Sequence, residues 1–421
     1  MKKVVAHSIA GKRFRQGLAG CCLFSLLLIG ACTLFQPEVP EPRIDGSALV
    51  RLSLPQYPSF SDDMGYDGLQ HGISRSLAYL NRLPADRTFW FGADAYTCGH
   101  IRKTLSYFLS LVAKKPAADE LNRLIRNHFL VYKSKGRDGS GDVLYTGYYE
   151  PTLAGSKQFD PAYPHPVFTK PDDLAVVDLK LFGIEVPGRN RIVGRFTAEH
   201  TVIPYYERKE IVRNGLKGRA GVIAWVSDPI DLFFLQIQGS GKIYLKSGET
   251  IQVSYAASNG RPYKSIGALL MEEGKIARKE MSMQRIREYL ASHPREVDRI
   301  LDYNPSYVFF RVVKEGPIGC LNVTITPGRT VALENRIFPA GCLAFITAAK
   351  PIVDGEGRIS SWQDFGRFAL NQDTGGAIRG PGRADLFWGG GPYAEIAAGH
   401  MQHPGDLYFL VLDPATADQL P

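Results

Sequence analysis

Residues 371–389 read Asn-Gln-Asp-Thr-Gly-Gly-Ala-Ile-Arg-Gly-Pro-Gly-Arg-Ala-Asp-Leu-Phe-Trp-Gly, which places two acids, Asp373 and Asp385, twelve positions apart among five glycines. Glycine tolerates positive φ and lets backbone approach another chain or a ligand. Apolar runs at 368–370 and 386–388 flank the acids. Carboxylates embedded in this way suit the edge of a groove. The local alternative is two Asx turns, each Asp bonding only its own backbone. Gln236, Gln238 and Ser240 lie in Asp231-Leu-Phe-Phe-Leu-Gln-Ile-Gln-Gly-Ser-Gly241, and Tyr148, Tyr149, Tyr255 and Trp388 add aromatic surface. Acid, amide and aromatic groups together are the means of carbohydrate cleavage, in which a carboxylic acid protonates the leaving oxygen. Hydrolases use two carboxylates, but one suffices if a hydroxyl of the substrate is the nucleophile and the spent acid returns as base.

Other chemistries find less support. No Ser-His-Asp order stands out, Gly239-Ser-Gly241 lacks the nucleophile-elbow pattern, and there is no phosphate or dinucleotide loop. No Cys/His spacing fits a metal site, so neither metal nor cofactor is called for. Asp373-Thr-Gly375 matches the aspartic-protease tripeptide, but it occurs once, and 421 residues far exceed a retroviral-type subunit. The net charge of +8 includes Lys2, Lys3, Lys12, Arg13 and Arg15, which leaves +3 beyond residue 31 and no nucleic-acid footprint.

The elements that must position these groups follow an amino terminus laid out for export. A basic start leads into Leu18-Ala-Gly-Cys-Cys-Leu-Phe-Ser-Leu-Leu-Leu-Ile29, too short for a comfortable membrane span. Leu28-Ile-Gly-Ala-Cys32 resembles a bacterial lipobox, which implies a signal over 1–31 and lipid on Cys32, with Thr33 favouring the outer membrane and a periplasmic orientation. Proline-rich residues 32–60 read as a tether. Helical faces follow at Ile73/Leu77/Leu80, Ile101/Leu105/Phe108/Val112 and Leu121/Leu124/Ile125/His128. Residues 144–151 read as a strand, with Gly147 marking a bulge or a ligand against backbone. Residues 152–255 read as mostly β, and the alternation through Gln236 and Gln238 predicts a strand with both amides on one polar face. A loop over 254–263 and helices over 266–301 precede short strands that belong in a barrel or sandwich. Cys98, Cys320 and Cys342 would face an oxidising space, and Cys320–Cys342 is the expected bridge because both lie in one segment.

Six segments, in order, resemble the membrane-bound lytic murein transglycosylase A family: Tyr145-Thr-Gly-Tyr-Tyr-Glu-Pro151, Gln236-Ile-Gln-Gly-Ser-Gly241, Ala257-Ser-Asn-Gly-Arg-Pro-Tyr263, Asn304-Pro-Ser306, Gln372-Asp-Thr-Gly-Gly-Ala-Ile378 and Ala384-Asp-Leu-Phe387. The resemblance implies a mainly β fold with helical additions. A double-psi β-barrel domain would comprise a first part within 61–151 and the main part at 301–421. A second β-rich domain at 152–300 would interrupt it, with glycan in the groove between them. It implies Asp385 as the catalytic acid, Asp373 beside it, and Gly147, Tyr148, Gln238 and Ser240 lining the groove. The implied substrate is peptidoglycan, cleaved without water, with lipid on Cys32 holding the chain at the outer membrane and cell-wall synthesis or division proteins as candidate partners. A murein-binding lipoprotein without activity is the competing class.

Overall fold

The apolar runs of the carboxy-terminal third become strands that close on themselves. The computed structural model describes residues 48–186 and 191–419, within one compact unit, Ile44–Pro421. The signal stretch, Cys32 and most of the tether lie outside the described residues. Six strands form the barrel: β1 (Val143–Glu150), β2 (Thr330–Ala332), β3 (Leu343–Val353), β4 (Ile359–Asp373), β5 (Arg383–Gly390) and β6 (Gln402–Leu412). Their order is β6-β3-β4-β2-β5-β1, and β6 pairs again with β1 to complete the ring. β2 runs parallel to β4 and β5 parallel to β1, while the remaining pairs are antiparallel. The closed barrel agrees with the double-psi expectation. Both faces of the barrel sheet are buried: Tyr145, Val331, Leu386 and Phe409 lie on one, and Phe345, Phe368 and Leu370 on the other, where Phe368 meets Phe108 of a flanking helix.

The three helical faces read from periodicity are present in Leu69–Leu80, Cys98–Val112 and Ala118–His128. Ile73, Leu80, Ile101, Leu105, Phe108, Leu121 and Ile125 are fully buried against the barrel, and the His128 ring meets Tyr107 edge-on at 5.7 Å. Between β1 and β2 sits the β-rich insert. Its six-stranded sheet takes, in spatial order, Val308–Val312, Thr250–Ser258, Ser240–Leu245, Thr152–Ser156, Val222–Val226 and His165–Phe168. Because Val308–Val312 pairs with Thr250–Ser258, the insert runs past residue 300, the end expected for it from the resemblance. The same pairing makes the first half of the expected 254–263 loop a strand.

One expected strand is a helix. Pro229–Gln238 begins with the Asp228 side chain accepting the Ile230 N–H, has proline in its first turn, and ends at Gly239 with φ of 79°. These are the usual start and stop signals of a helix. Ile230, Leu232, Phe233, Phe234, Leu235 and Gln236 are all buried, so the helix is apolar nearly all round and shows no 3.6-residue period in sequence. Its alternating tail mimics a strand. At about 100° per residue, Gln236 and Gln238 point about 200° apart rather than sharing a face.

Candidate active site

The shortest barrel strand sets the site. Ala332 in β2 pairs with Asp373 of β4 on one side and with Asp385 of β5 on the other. Asp385 pairs in turn with Thr146 of β1. Residues opposed across a ladder share a face, so Thr146, Asp385, Ala332 and Asp373 form one row across four strands. The two acids are two strand spacings apart, about 10 Å between backbones, with only a methyl group between them. A register shift between Val331 and Ala332 brings Asp373, rather than Gln372, opposite Ala332. Gln372 is buried instead, accepting the Thr330 hydroxyl at 2.7 Å and donating to Gly72 O at 2.8 Å.

Asp373 is fully engaged. Its Oδ1 accepts the Cys320 N–H at 3.0 Å and the Thr374 N–H at 2.9 Å, and its Oδ2 accepts the Tyr148 hydroxyl at 2.9 Å. Burial raises its pKa, opposed by these three donors. Burial and the adjacent Asp373 keep the Tyr148 phenol neutral, far above its ordinary range, and its ring packs on Phe387 at 5.1 Å. Asp385 differs. Its Oδ1 accepts the Thr146 hydroxyl and lies 3.6 Å from the Arg383 guanidinium, which also donates to Thr146 at 3.1 Å. Its Oδ2 has no hydrogen-bond partner among the described residues, and the side chain is 22% exposed. Burial lifts its pKa to about 6, with Arg383 opposing and the Asp373 charge adding to the rise. Such an acid can both give and take a proton near neutrality.

Of the expected groove residues, only Tyr148 touches the acids. Gln238 accepts the Tyr149 N–H at 2.9 Å, so it ties the end of the helix Pro229–Gln238 to β1. Ser240 is buried opposite Ser254 in the insert sheet. Gln236 is buried beside Tyr307 rather than facing a groove. Gly147 does not mark a bulge. It pairs in register with Leu386, and a Cβ there would meet Trp388 at 2.7 Å and the Ala398 backbone at 2.8 Å. The glycine lets the helix Pro392–His400 lie against β1, on the face opposite Thr146 and Tyr148.

The expected Cys320–Cys342 bridge is absent, and all three described cysteines are free. Cys342 is buried at the start of β3, where its thiol points to Ala340 O. Cys320 sits on the loop that caps Asp373, its sulfur accepting Asn335 Nδ2 at 3.2 Å. Proximity in sequence does not align Cβ vectors. Burial of the thiol and the adjacent Asp373 push Cys320 up to about 12, which leaves it protonated.

The family description "MltA specific insert domain" matches residues 144–311 and "3D domain" matches residues 329–411. A curated membrane-bound lytic murein transglycosylase A from Vibrio cholerae is 30% identical over 281 residues, 66% of this chain and 68% of the relative. The chain belongs to the membrane-bound lytic murein transglycosylase A family. The Escherichia coli K12 member is 29% identical over 290 residues, 68% of this chain and 70% of its own length. The crystal structure of a membrane-bound lytic murein transglycosylase from Agrobacterium tumefaciens superposes with a TM-score of 0.70 at 27% identity, covering 88% of this chain and 99% of that one. In this member of the lytic murein transglycosylase A family, the second match spans β2 to β6. The first begins inside β1, so the acid row is assembled from both. Sequence reasoning passed over Thr146 and Arg383, although each lies two residues from a residue singled out (Tyr148 and Asp385), the spacing of one strand face. Asn259 and Asn304, from two other shared segments, clamp insert loops by accepting the Tyr307 and Ser306 N–H groups.

Proposed function

We propose that this chain cleaves the β-1,4 bond between N-acetylmuramic acid and N-acetylglucosamine in peptidoglycan and leaves 1,6-anhydromuramic ends. Membership of the family makes it a lytic transglycosylase that acts on peptidoglycan. The finer claim is that Asp385 alone serves as acid and then base. One contrast supports it: Asp373 has three donors on its two oxygens, whereas Asp385 keeps Oδ2 free and partly exposed. A second carboxylate available to activate water, as inverting hydrolases need, is therefore missing from the row.

In the proposed cycle, protonated Asp385 gives its proton to the glycosidic oxygen as the bond from C1 to that oxygen breaks. N-acetylglucosamine leaves with a free 4-hydroxyl. Positive charge develops at C1 of the muramic residue, near ionised Asp385. The C6 hydroxyl oxygen then bonds to C1, and its proton passes to Asp385, which restores the acid. No water is consumed. Thr146 and Arg383 hold Asp385 in place, and Asp373 raises its pKa as a like charge while fixing Tyr148.

Mass spectrometry of fragments released from purified murein tests this. Fragments lighter by one water than hydrolysis products are expected. Full-mass reducing ends would mean a hydrolase, and a protein that binds murein but releases nothing would be a binding module. The acid form of Asp385 also sets a pH dependence. With its pKa at about 6, the rate should fall about tenfold per unit as pH rises above that value. Clearing of a murein suspension between about pH 5 and 8 would show it, and a flat profile would contradict a proton-donating Asp385.

Lipid on Cys32 and a periplasm-facing position at the outer membrane belong to the same proposal. Labelled palmitate should enter the chain, and Cys32→Ser should abolish the incorporation. Equal labelling of that variant would remove Cys32 as the anchor.

A further inference from the structure

Beside the acid row lies a charge cluster that the mechanism leaves unused. Leu333, next to Ala332, donates its N–H to Asp373 O at 3.1 Å, so Glu334 begins at the edge of the row. Its carboxylate is 7% exposed. One oxygen accepts the Gly380 N–H at 2.6 Å, and the other accepts Arg336 Nε at 2.8 Å and lies 3.9 Å from Arg379. Burial pushes the Glu334 pKa up, but the Gly380 amide and the two arginines outweigh it and hold the group ionised. Arg379 sits on the loop that joins Asp373 to Asp385.

One carboxylate between two guanidiniums leaves a net positive charge. Both arginines reach solvent, with side chains 46% and 57% exposed. Each guanidinium carries five N–H donors. Arg336 directs Nε and Nη2 at Glu334, and Arg379 donates to Ile378 O at 3.5 Å. The remaining donors form a planar fork suited to carboxylate. An ordinary solvated ion pair would also place arginines beside a glutamate. Here, however, the glutamate is buried and committed to a backbone amide, so the arginines are held at the rim with donors to spare.

We propose that Arg336 and Arg379 form a carboxylate-binding subsite at the rim of the groove, which engages the anionic groups on the peptide substituents of the glycan. The proposal rests on murein being the glycan held along the acid row. The subsite would orient a strand by its substituents while Asp385 acts on the sugar backbone, so its contribution appears in binding rather than in the chemical step.

The test uses the full chain in detergent with Asp385→Asn, which removes cleavage, and measures co-sedimentation with insoluble murein. One murein sample is intact, and the other has its carboxyl groups converted to amides. Adding Arg379→Gln and Arg336→Gln together should weaken binding to intact murein about tenfold and leave binding to amidated murein unchanged. Arg379→Gln alone should give a smaller loss of the same selectivity. It touches Glu334 only at 3.9 Å, so it serves if the double variant does not fold. Arg379→Lys should recover part of the affinity. Equal binding by variants and parent, or equal losses on both mureins, would overturn the subsite. A parent that binds neither murein would overturn the groove assignment as well, and that outcome is read before any arginine is changed.

Discussion

Asp385→Asn is expected to slow release of anhydro-ended fragments by about a thousandfold, the range for loss of a general acid that also acts as base, while the protein stays folded. Asn keeps the shape and can still meet Thr146 and Arg383, but it can neither give nor take the proton. The same substitution should raise stability at neutral pH. The folded-state pKa of Asp385, about 6, lies above the ordinary 3.8, so between those values the folded protein binds more protons than the unfolded chain. Stability therefore falls as pH rises through that window and levels off above about 6. The full shift corresponds to about 3 kcal/mol. With the side chain partly exposed, a gain of about 1–3 kcal/mol is expected for the variant at pH near 8, vanishing near pH 4. Denaturant unfolding at both pH values checks this, beside the fragment assay. An active variant would remove Asp385 from the mechanism, and a variant equally destabilised at both pH values would contradict the raised pKa.

Asp62→Ala is expected to cost about 3–5 kcal/mol, the range for breaking a buried ion pair. Asp62 and Arg329 have side chains 1% and 0% exposed, and they meet through two bonds of 2.6 and 2.9 Å. Arg329 also donates to Asp67 O and Phe368 O, while Asp62 accepts the Phe368, Met64 and Tyr66 N–H groups. Removing the carboxylate leaves a guanidinium in the core without a counter-charge. It also frees the segment before the first helix from β4. Arg329 immediately precedes β2, the strand that sets the acids, so the pair braces the site from behind. A fall in the denaturant midpoint with an unchanged slope would be the signature. A loss below about 1 kcal/mol would show that water or rearrangement compensates the charge.

Much of the architecture was legible because it depends on local pattern. Ile73, Ile101, Leu105 and Leu121 repeat at helical spacing and are buried as that spacing demands. The helix Pro229–Gln238 escaped notice because it is buried on nearly every side and its Gln-Ile-Gln tail alternates by chance. Its Asp-Pro start and Gly239 stop were the signals to weigh. The cysteine pairing failed because spacing along the chain says nothing about which way two side chains point. Val308–Val312 was assigned to the barrel segment by its position in sequence, whereas strand pairing puts it in the insert.

The sequence alone determined the residue types that can act, the amphipathic faces around the barrel, and the two acids with their glycine-rich connection. It also carried the resemblance that the family comparison bears out. Only the tertiary structure decided what each acid experiences. A three-residue strand with no signature of its own, Thr330–Ala332, brings Asp373 and Asp385 into one row. Backbone amides from Cys320 and Thr374 occupy Asp373, and burial beside it raises Asp385. Proton affinity depends on solvent exclusion and on charges brought close by folding, and those are properties of distances between residues far apart in the chain.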